Sequence, residues 1–158
     1  MRMQRGFSLI ELLAALTLLA LLMTVAAPVS DLIKQRRQEA EMRQTLATVR
    51  TAIDAYKRAT ADGSIEKSIE QSGYPPDLNV LVEGVANKKD PSGAKLYFLR
   101  RLPPDPMCDS CDGKSPADSW ETRSYDSSPE SFSSGSDVFD IRSSSKKPGL
   151  NGVPYNEW

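Results

Sequence analysis

The stretch FSLIELLAALTLLALLMTVAAPV, residues 7–29, decides the fold: it is an apolar run with one charged residue, Glu11. Leucine and alanine dominate it, and both are strong helix formers. As a helix rising about 1.5 Å per residue, the run is about 34 Å long, enough to cross a hydrocarbon core of roughly 30 Å. We therefore predict a membrane-spanning helix over 7–29.

Glu11 separates three interpretations of this run. A cleaved secretory signal has a shorter apolar core, of about 7 to 15 residues. An ordinary membrane anchor explains the length but leaves a carboxylate in the bilayer, which costs up to about 3 kcal/mol and is retained mainly where it has a partner. Cleavage between Gly6 and Phe7 would instead create an α-amino group one helical turn from Glu11.

The segment RGFSLIELL, residues 5–13, resembles the processing site of type IV pilins and type II secretion pseudopilins. A short basic leader ends at Gly6, Phe7 follows, and Glu11 comes four residues later. The resemblance implies cleavage after Gly6 by a membrane-embedded prepilin peptidase and N-methylation of Phe7. It also implies that Glu11 of one subunit neutralises the terminal amine of a neighbour. Because each charge alone is costly in apolar surroundings, Glu11 would set the register between subunits.

Beyond residue 29, apolar side chains recur at helical spacing. They are Met42, Leu46, Val49, Ile53 and Tyr56. We predict one near-continuous helix from Phe7 to about Ala61, where Asp62-Gly63 supplies a glycine stop. The apolar stripe then packs on a globular head, and a free-standing coiled coil is the alternative. Pro28 predicts either a kink or the end of the membrane helix.

The remaining chain predicts a small antiparallel sheet. Its best strands are residues 119–125 and 137–143, joined by a serine-rich loop over 124–136. In the second strand, Phe139 and Ile141 are expected on one face and Val138 on the other. Asp77 is expected to cap a short helix through Val82, residues 95–102 can be extended, and Trp158 is expected to pack on the sheet.

A long helix followed by a small antiparallel sheet is the α+β architecture of pilins. The head also resembles the major, G-type pseudopilin of type II secretion at residues 74–82, 102–106, 139–143 and 151–158. This resemblance implies three parts. They are a cleaved leader (1–6), a transmembrane and filament-core helix (7–29), and a periplasmic pilin-like head (30–158) that includes the amphipathic second half of the helix.

The resemblance implies a structural subunit of a type II secretion pseudopilus, which polymerises through its N-terminal helix and pushes exoproteins through an outer-membrane secretin. Expected partners are other copies of the chain, minor pseudopilins, prepilin peptidase, and an inner-membrane platform with its ATPase; no nucleic acid is expected. The protein would cross the bacterial inner membrane once, with its N-terminus cytoplasmic. A type IV pilin or minor pilin for adhesion, motility or DNA uptake is the alternative.

The chain contains no histidine. This removes His-based acid–base chemistry, Ser-His and Cys-His nucleophile pairs, and HExxH zinc sites. Glycine-rich phosphate-binding and dinucleotide-binding signatures are also lacking. We therefore predict that the protein is not an enzyme.

Cys108 and Cys111 form a CxxC pair, for which a structural disulfide is the leading interpretation outside the bacterial inner membrane. Unpaired thiols, half of a zinc site, and the active site of a membrane-anchored thiol-redox protein remain open. Neighbouring carboxylates at Asp105, Asp109 and Asp112 disfavour a reactive thiolate.

Many major pseudopilins hold calcium in an aspartate- and glycine-rich loop after the last strand. The corresponding residues here, 143–152, include Lys146 and Lys147 and no carboxylate. Calcium is thus possible but unsupported by this loop, and we assign no cofactor and no metal ligand.

Charge is unevenly distributed along the chain. Residues 30–60 hold seven basic and four acidic side chains, whereas residues 105–140, here called the acidic region, hold nine acidic and two basic ones. We predict that the basic shoulder formed by Lys34, Arg36 and Arg37 docks on the acidic region of an adjacent subunit.

Overall fold

A computed structural model describes residues 8–128 and 130–158, with the backbone alone for 25–28. The helices are α1 (Leu9–Ala61) and α2 (Val80–Glu83), and the strands are β1 (Val85–Ala86), β2 (Lys95–Leu96), β3 (Trp120–Arg123) and β4 (Asp140–Ser143). Two 3₁₀ turns lie at Ala117–Ser119 and Tyr155–Glu157. One long N-terminal helix with small antiparallel sheets confirms the predicted α+β, pilin-like class.

The described residues form two compact units that divide between Arg37 and Gln38. The first unit is helical from Leu9 onward. Within the described chain, α1 contains a stretch that could cross a membrane by length and composition, with a mean hydropathy of 2.4 and no buried residue. Phe7 lies outside the described residues. The helix continues through position 28, but the side chain of Pro28 is outside the described set and its kink stays a prediction.

The second unit, residues 38–158, has a core built around the amphipathic part of α1. All five stripe residues are at most 8% exposed, and Met42 and Val49 are fully buried. Packed with them are Ile65, Leu78, Leu81, Leu102, Trp120 and Ile141. The coiled-coil alternative is therefore wrong, because this stripe is already buried by its own chain.

The predicted end of α1 is confirmed at Ala61. Gly63 has φ +80°, a conformation that glycine adopts without a Cβ penalty. The amide of Gly63 donates to the carbonyl of Thr60 at 3.2 Å, and that of Ser64 donates to Ala59 at 2.9 Å. These bonds satisfy carbonyls that the last helical turn would otherwise leave free.

The strands form two separate antiparallel ribbons, β1–β2 and β3–β4. In the second ribbon Trp120 pairs with Ser143 and Arg123 with Asp140. Both of its strands are shorter than predicted, and the first ribbon, of two residues per strand, was not predicted. Within 95–102 only Lys95–Leu96 is a strand.

Two side chains in the second unit depart from their predicted positions. Val138 was expected on the face opposite Ile141, yet both are buried, at 4% and 0% exposure, because Val138 precedes β4 and its amide donates to the carbonyl of Pro75 at 2.8 Å. Trp158 packs edge-on against Tyr155 and lies under the guanidinium of Arg43 from α1, so its neighbours are the C-terminal turn and the helix.

The N-cap position of α2 is Asn79, whose side chain makes no capping hydrogen bond, and not the predicted Asp77. The carboxylate of Asp77 nevertheless bonds to the amides at the start of the helix. Its Oδ1 accepts hydrogen bonds from the amides of Asn79 at 2.7 Å and Val80 at 3.1 Å. Helix α2 then begins at Val80 and is followed by Gly84 at φ +75°.

Candidate functional site

The first candidate site is the apolar surface of α1 that begins at Ser8. Leu9 and Ile10 are 77% and 75% exposed, and every described side chain from 8 to 24 is exposed. A soluble monomer rarely presents an apolar surface of this extent to water. This surface therefore requires lipid or other protein around it.

Glu11 lies on this surface in the first turn of α1. Its amide donates to the carbonyl of Ser8 at 3.1 Å, and its side chain is exposed among leucines. A carboxylate in the first turn interacts favourably with the helix dipole, which is a modest term. Gly6 and Phe7 lie outside the described residues, so the predicted cleavage and methylation sites have no geometry here.

The basic shoulder is exposed at all three of its residues, Lys34, Arg36 and Arg37. In the part of the chain that the structure describes, none of the three forms an ion pair. Their charge is therefore available to a partner.

The acidic region is less available than its charge count suggests. Asp105 and Asp137 are buried, at 5% and 7% exposure. Asp109, Glu121 and Asp140 form ion pairs with Lys147, Arg142 and Arg50 respectively. The exposed acids outside these pairs are Asp112, Asp118, Asp126 and Glu130. These four are the ones that could meet a basic partner.

Asp137 organises the base of the serine-rich loop. Its carboxylate accepts hydrogen bonds from the Ser124 hydroxyl at 2.8 Å, from the Tyr125 amide at 2.9 Å and from the Ser72 hydroxyl. Burial opposes ionisation, but these hydrogen bonds and the charge of Lys57 outweigh it and hold the pKa of Asp137 below its ordinary value. Asp137 is therefore an ionised tie between two loops.

Asp105 has a similar role beside residues 143–152, the segment for which no metal ligand was assigned. Its carboxylate accepts from the Met107 amide at 2.8 Å, the Ser143 hydroxyl at 2.7 Å and the Ser144 amide at 3.3 Å. The Asp105 carboxylate thus joins the proline-rich segment, residues 102–106, to the end of β4. Among the described residues, no group of three His, Cys, Asp or Glu side chains is placed to hold a metal ion.

Cys108 and Cys111 are joined by a disulfide with Cα atoms 5.7 Å apart. The Ser144 hydroxyl lies 3.5 Å from Cys108 Sγ, and Lys147 Nζ lies 2.6 Å from Asp109 Oδ1. Lys147, which breaks the calcium-loop pattern, therefore joins the C-terminal segment to the disulfide loop.

Sequence reasoning missed Glu39 and Arg50 on α1. Glu39 is 3% exposed, and its carboxylate accepts from the Leu150 amide at 2.7 Å and the Tyr155 hydroxyl at 3.1 Å. Glu39 precedes Met42 by three residues and so extends the buried stripe by one turn, which is the signal that could have identified it.

Arg50 holds the strand β4 and the C-terminal turn against α1. Its Nε donates to Asp140 Oδ1 at 2.8 Å, and its Nη2 donates to the carbonyls of Ile141 at 3.0 Å and Trp158 at 3.1 Å. No local pattern marks Arg50, because its acceptors lie about ninety or more residues away.

Comparison with known proteins identifies the N-terminal motif. The family model described as the prokaryotic N-terminal methylation motif matches residues 1–27, which include Gly6, Phe7 and Glu11. Searches of curated proteins and of solved structures gave no significant match. The motif implies processing by prepilin peptidase and membrane assembly into a filament. Together with the apolar helix, it supports a type IV pilin-like protein that is anchored in the membrane by a single span.

Proposed function

We propose that this protein is the structural subunit of a type II secretion pseudopilus. The observation that supports this proposal best is the exposed apolar surface of α1, interrupted by the carboxylate of Glu11 and placed directly behind a prepilin-type leader. Such a surface is stable in a bilayer before assembly and in a bundle of identical helices after assembly.

Assembly of this kind needs a contact between two different surfaces of the chain. A head-to-tail contact whose rotation does not close generates an open helical filament. The amine of Phe7 from one copy and the carboxylate of Glu11 from another supply such a contact, because each charge removes the cost of burying the other. The apolar side chains around Glu11 exclude water from the pair.

The proposal includes an orientation and a set of partners. The leader is cytoplasmic, the second unit is periplasmic, and the peptidase cleaves at the inner membrane. Because the chain carries no nucleotide-binding signature, an inner-membrane platform and its ATPase supply the work, and minor pseudopilins complete the filament. We also propose that the protein needs no catalytic group, metal or cofactor of its own for this role.

The prepilin-type motif supports a type IV pilin or a minor pilin equally well. The two functions differ in what is lost when the gene is deleted. Loss of exoprotein secretion with intact surface pili favours the pseudopilin, whereas loss of pili, motility or DNA uptake with intact secretion favours the pilin.

The first prediction concerns processing. Protein purified from cells with an active prepilin peptidase is expected to begin at Phe7 and to carry an N-methyl group, and protein from peptidase-deficient cells is expected to retain residues 1–6. Intact-mass spectrometry with N-terminal peptide sequencing measures both. Retention of Met1 in peptidase-positive cells would contradict the proposal.

The second prediction concerns the basic shoulder. Replacing Arg36 and Arg37 together by Glu is expected to reduce filament yield by about tenfold at low salt, and by less at high salt, since exposed charges are screened within roughly 10 Å at 0.1 M. Sedimentation of sheared filaments across a salt series measures the effect.

The matched control for this charge reversal is Arg100→Glu with Arg101→Glu. These arginines are exposed and form no ion pair in the described chain. Equal losses in both double variants, or a loss that does not respond to salt, would show that the shoulder does not dock on acidic side chains.

A further inference from the structure

The outer face of the β3–β4 ribbon carries four charged side chains. In the antiparallel register Glu121 lies opposite Arg142, and Arg123 lies opposite Asp140. Opposite charges directly across a ribbon attract each other. The register by itself therefore predicts two cross-strand ion pairs on this face.

Of these two pairs, the described structure contains the one between Arg142 and Glu121, with Nε and Oε2 2.7 Å apart. Asp140 instead pairs with Arg50 of α1 at 2.8 Å. Arg50 is held there by two further hydrogen bonds, to the carbonyls of Ile141 and Trp158. Arg123 is thus deprived of its cross-strand carboxylate by the helix.

Arg123 forms no ion pair with any residue that the structure describes. Its guanidinium lies 4.7 Å from the ring centroid of Phe139 and 5.7 Å from that of Phe132. Its Nε is buried and has no hydrogen-bond acceptor in the described chain. An unsatisfied buried donor is unfavourable, and arginine does not relieve that cost by deprotonation.

The side chain of Arg123 lines a cavity of about 350 Å³ that also contacts Arg142, Phe132 and Asn156. Three arginines line this cavity against two carboxylates, those of Asp140 and Glu157. Asp140 is engaged by Arg50, and Glu157 forms no ion pair with these arginines in the described structure. Arg142 is neutralised by Glu121 from outside the lining, so Arg123 is the arginine of this lining that has no ion-pair partner among the described residues.

We propose that Arg123, with Arg142 beside it, forms a carboxylate-binding site. A single guanidinium without an ion-pair partner matches a monoanion, and its planar group presents paired donors that suit a carboxylate. The carboxylate belongs either to an acidic side chain of a neighbouring copy, which rests on the proposed filament function, or to a free organic acid, which does not.

The first arm of the test uses the full chain in detergent micelles, labelled with ¹⁵N. Acetate is titrated against chloride at constant ionic strength, and arginine Nε–H resonances are followed by NMR. The Arg123 resonance is expected to shift saturably with acetate alone. Arg123→Gln removes that resonance and identifies it, whereas Arg101→Gln, at an exposed position, leaves the response unchanged.

Arg123→Lys keeps the charge but loses the paired donors. The backbone amide resonances around the cavity that respond to acetate are therefore expected to titrate with an affinity about tenfold weaker.

The second arm measures filaments of the same variants. If a neighbour supplies the carboxylate, Arg123→Gln is expected to reduce filament yield by about tenfold relative to Arg101→Gln, as expected for a lost charge-assisted hydrogen bond. Near-UV circular dichroism shows whether each variant keeps a native second unit, and Arg123→Lys replaces Arg123→Gln in both arms if the latter does not.

The two arms separate the sources of the carboxylate and the two proposals. A response to acetate without a filament defect assigns a free organic acid, and a filament defect assigns a neighbouring copy. If neither arm responds, the site does not exist, although filaments that still depend on Glu11 would leave the proposed function standing. If the wild type forms no filament at all, the proposed function fails and the acetate arm alone decides this site.

Discussion

Filaments of the Glu11→Leu variant are expected to be absent, or reduced by at least about a hundredfold, while membrane insertion and cleavage after Gly6 remain. Leucine removes the only charged side chain in 7–29 and leaves the mature amine of Phe7 without a counter-ion in the apolar bundle. Removing one partner from a buried ion pair costs about 3–5 kcal/mol, and about 1.4 kcal/mol corresponds to a factor of ten.

The measurement is the fraction of mature protein recovered in sheared filaments, with membrane fractionation and mass spectrometry as checks on insertion and processing. Glu41→Leu is the matched control, because Glu41 is an exposed glutamate on the same helix outside the apolar run. Normal polymer formation by Glu11→Leu would remove the basis of the proposed assembly contact.

The second large effect is expected from Asp137→Asn, which should lower the free energy of unfolding of the second unit by about 2–3 kcal/mol at neutral pH. Asparagine lacks the negative charge that strengthens the hydrogen bonds from Ser72, Ser124 and Tyr125. Its NH₂ group is itself a donor and would face these donors in place of a carboxylate oxygen. Urea unfolding of the full chain in detergent, followed by near-UV circular dichroism, measures the change.

The pH dependence of this effect has a definite sign. The pKa of Asp137 is lower in the folded protein than the value of about 3.9 expected in the unfolded chain. Its contribution to stability is therefore fully present above pH 4 and is lost as the pH falls through the folded pKa. The difference between wild type and Asp137→Asn should shrink accordingly in acid.

Asp112→Asn provides the control for this titration, because Asp112 is exposed and forms no ion pair in the described chain. It is expected to change stability by less than about 0.5 kcal/mol at any pH. An Asp137→Asn variant as stable as Asp112→Asn, or a gap that widens in acid, would contradict the role of Asp137 as an ionised tie.

The features that could be predicted from the sequence are those set by neighbours along the chain. The length and composition of 7–29 predict a membrane-spanning helix, and its leader carries the prepilin-type motif. The spacing from Met42 to Tyr56 predicted the buried face of α1, and Gly63 marked its end. Each of these features depends on helix periodicity, helix propensity or a local motif, and all three can be recognised from residues that are close together in the sequence.

The tertiary structure decided which polar groups of the second unit pair with one another. Arg50 reaches Asp140 and Trp158, and Glu39 reaches Leu150 and Tyr155, across separations of 90 to 116 residues. The same long-range packing buries Asp105 and Asp137 and leaves Arg123 without the partner that its strand register provides. The sequence shows which side chains are charged, but only the packing of distant segments determines which of those charges are neutralised within the chain.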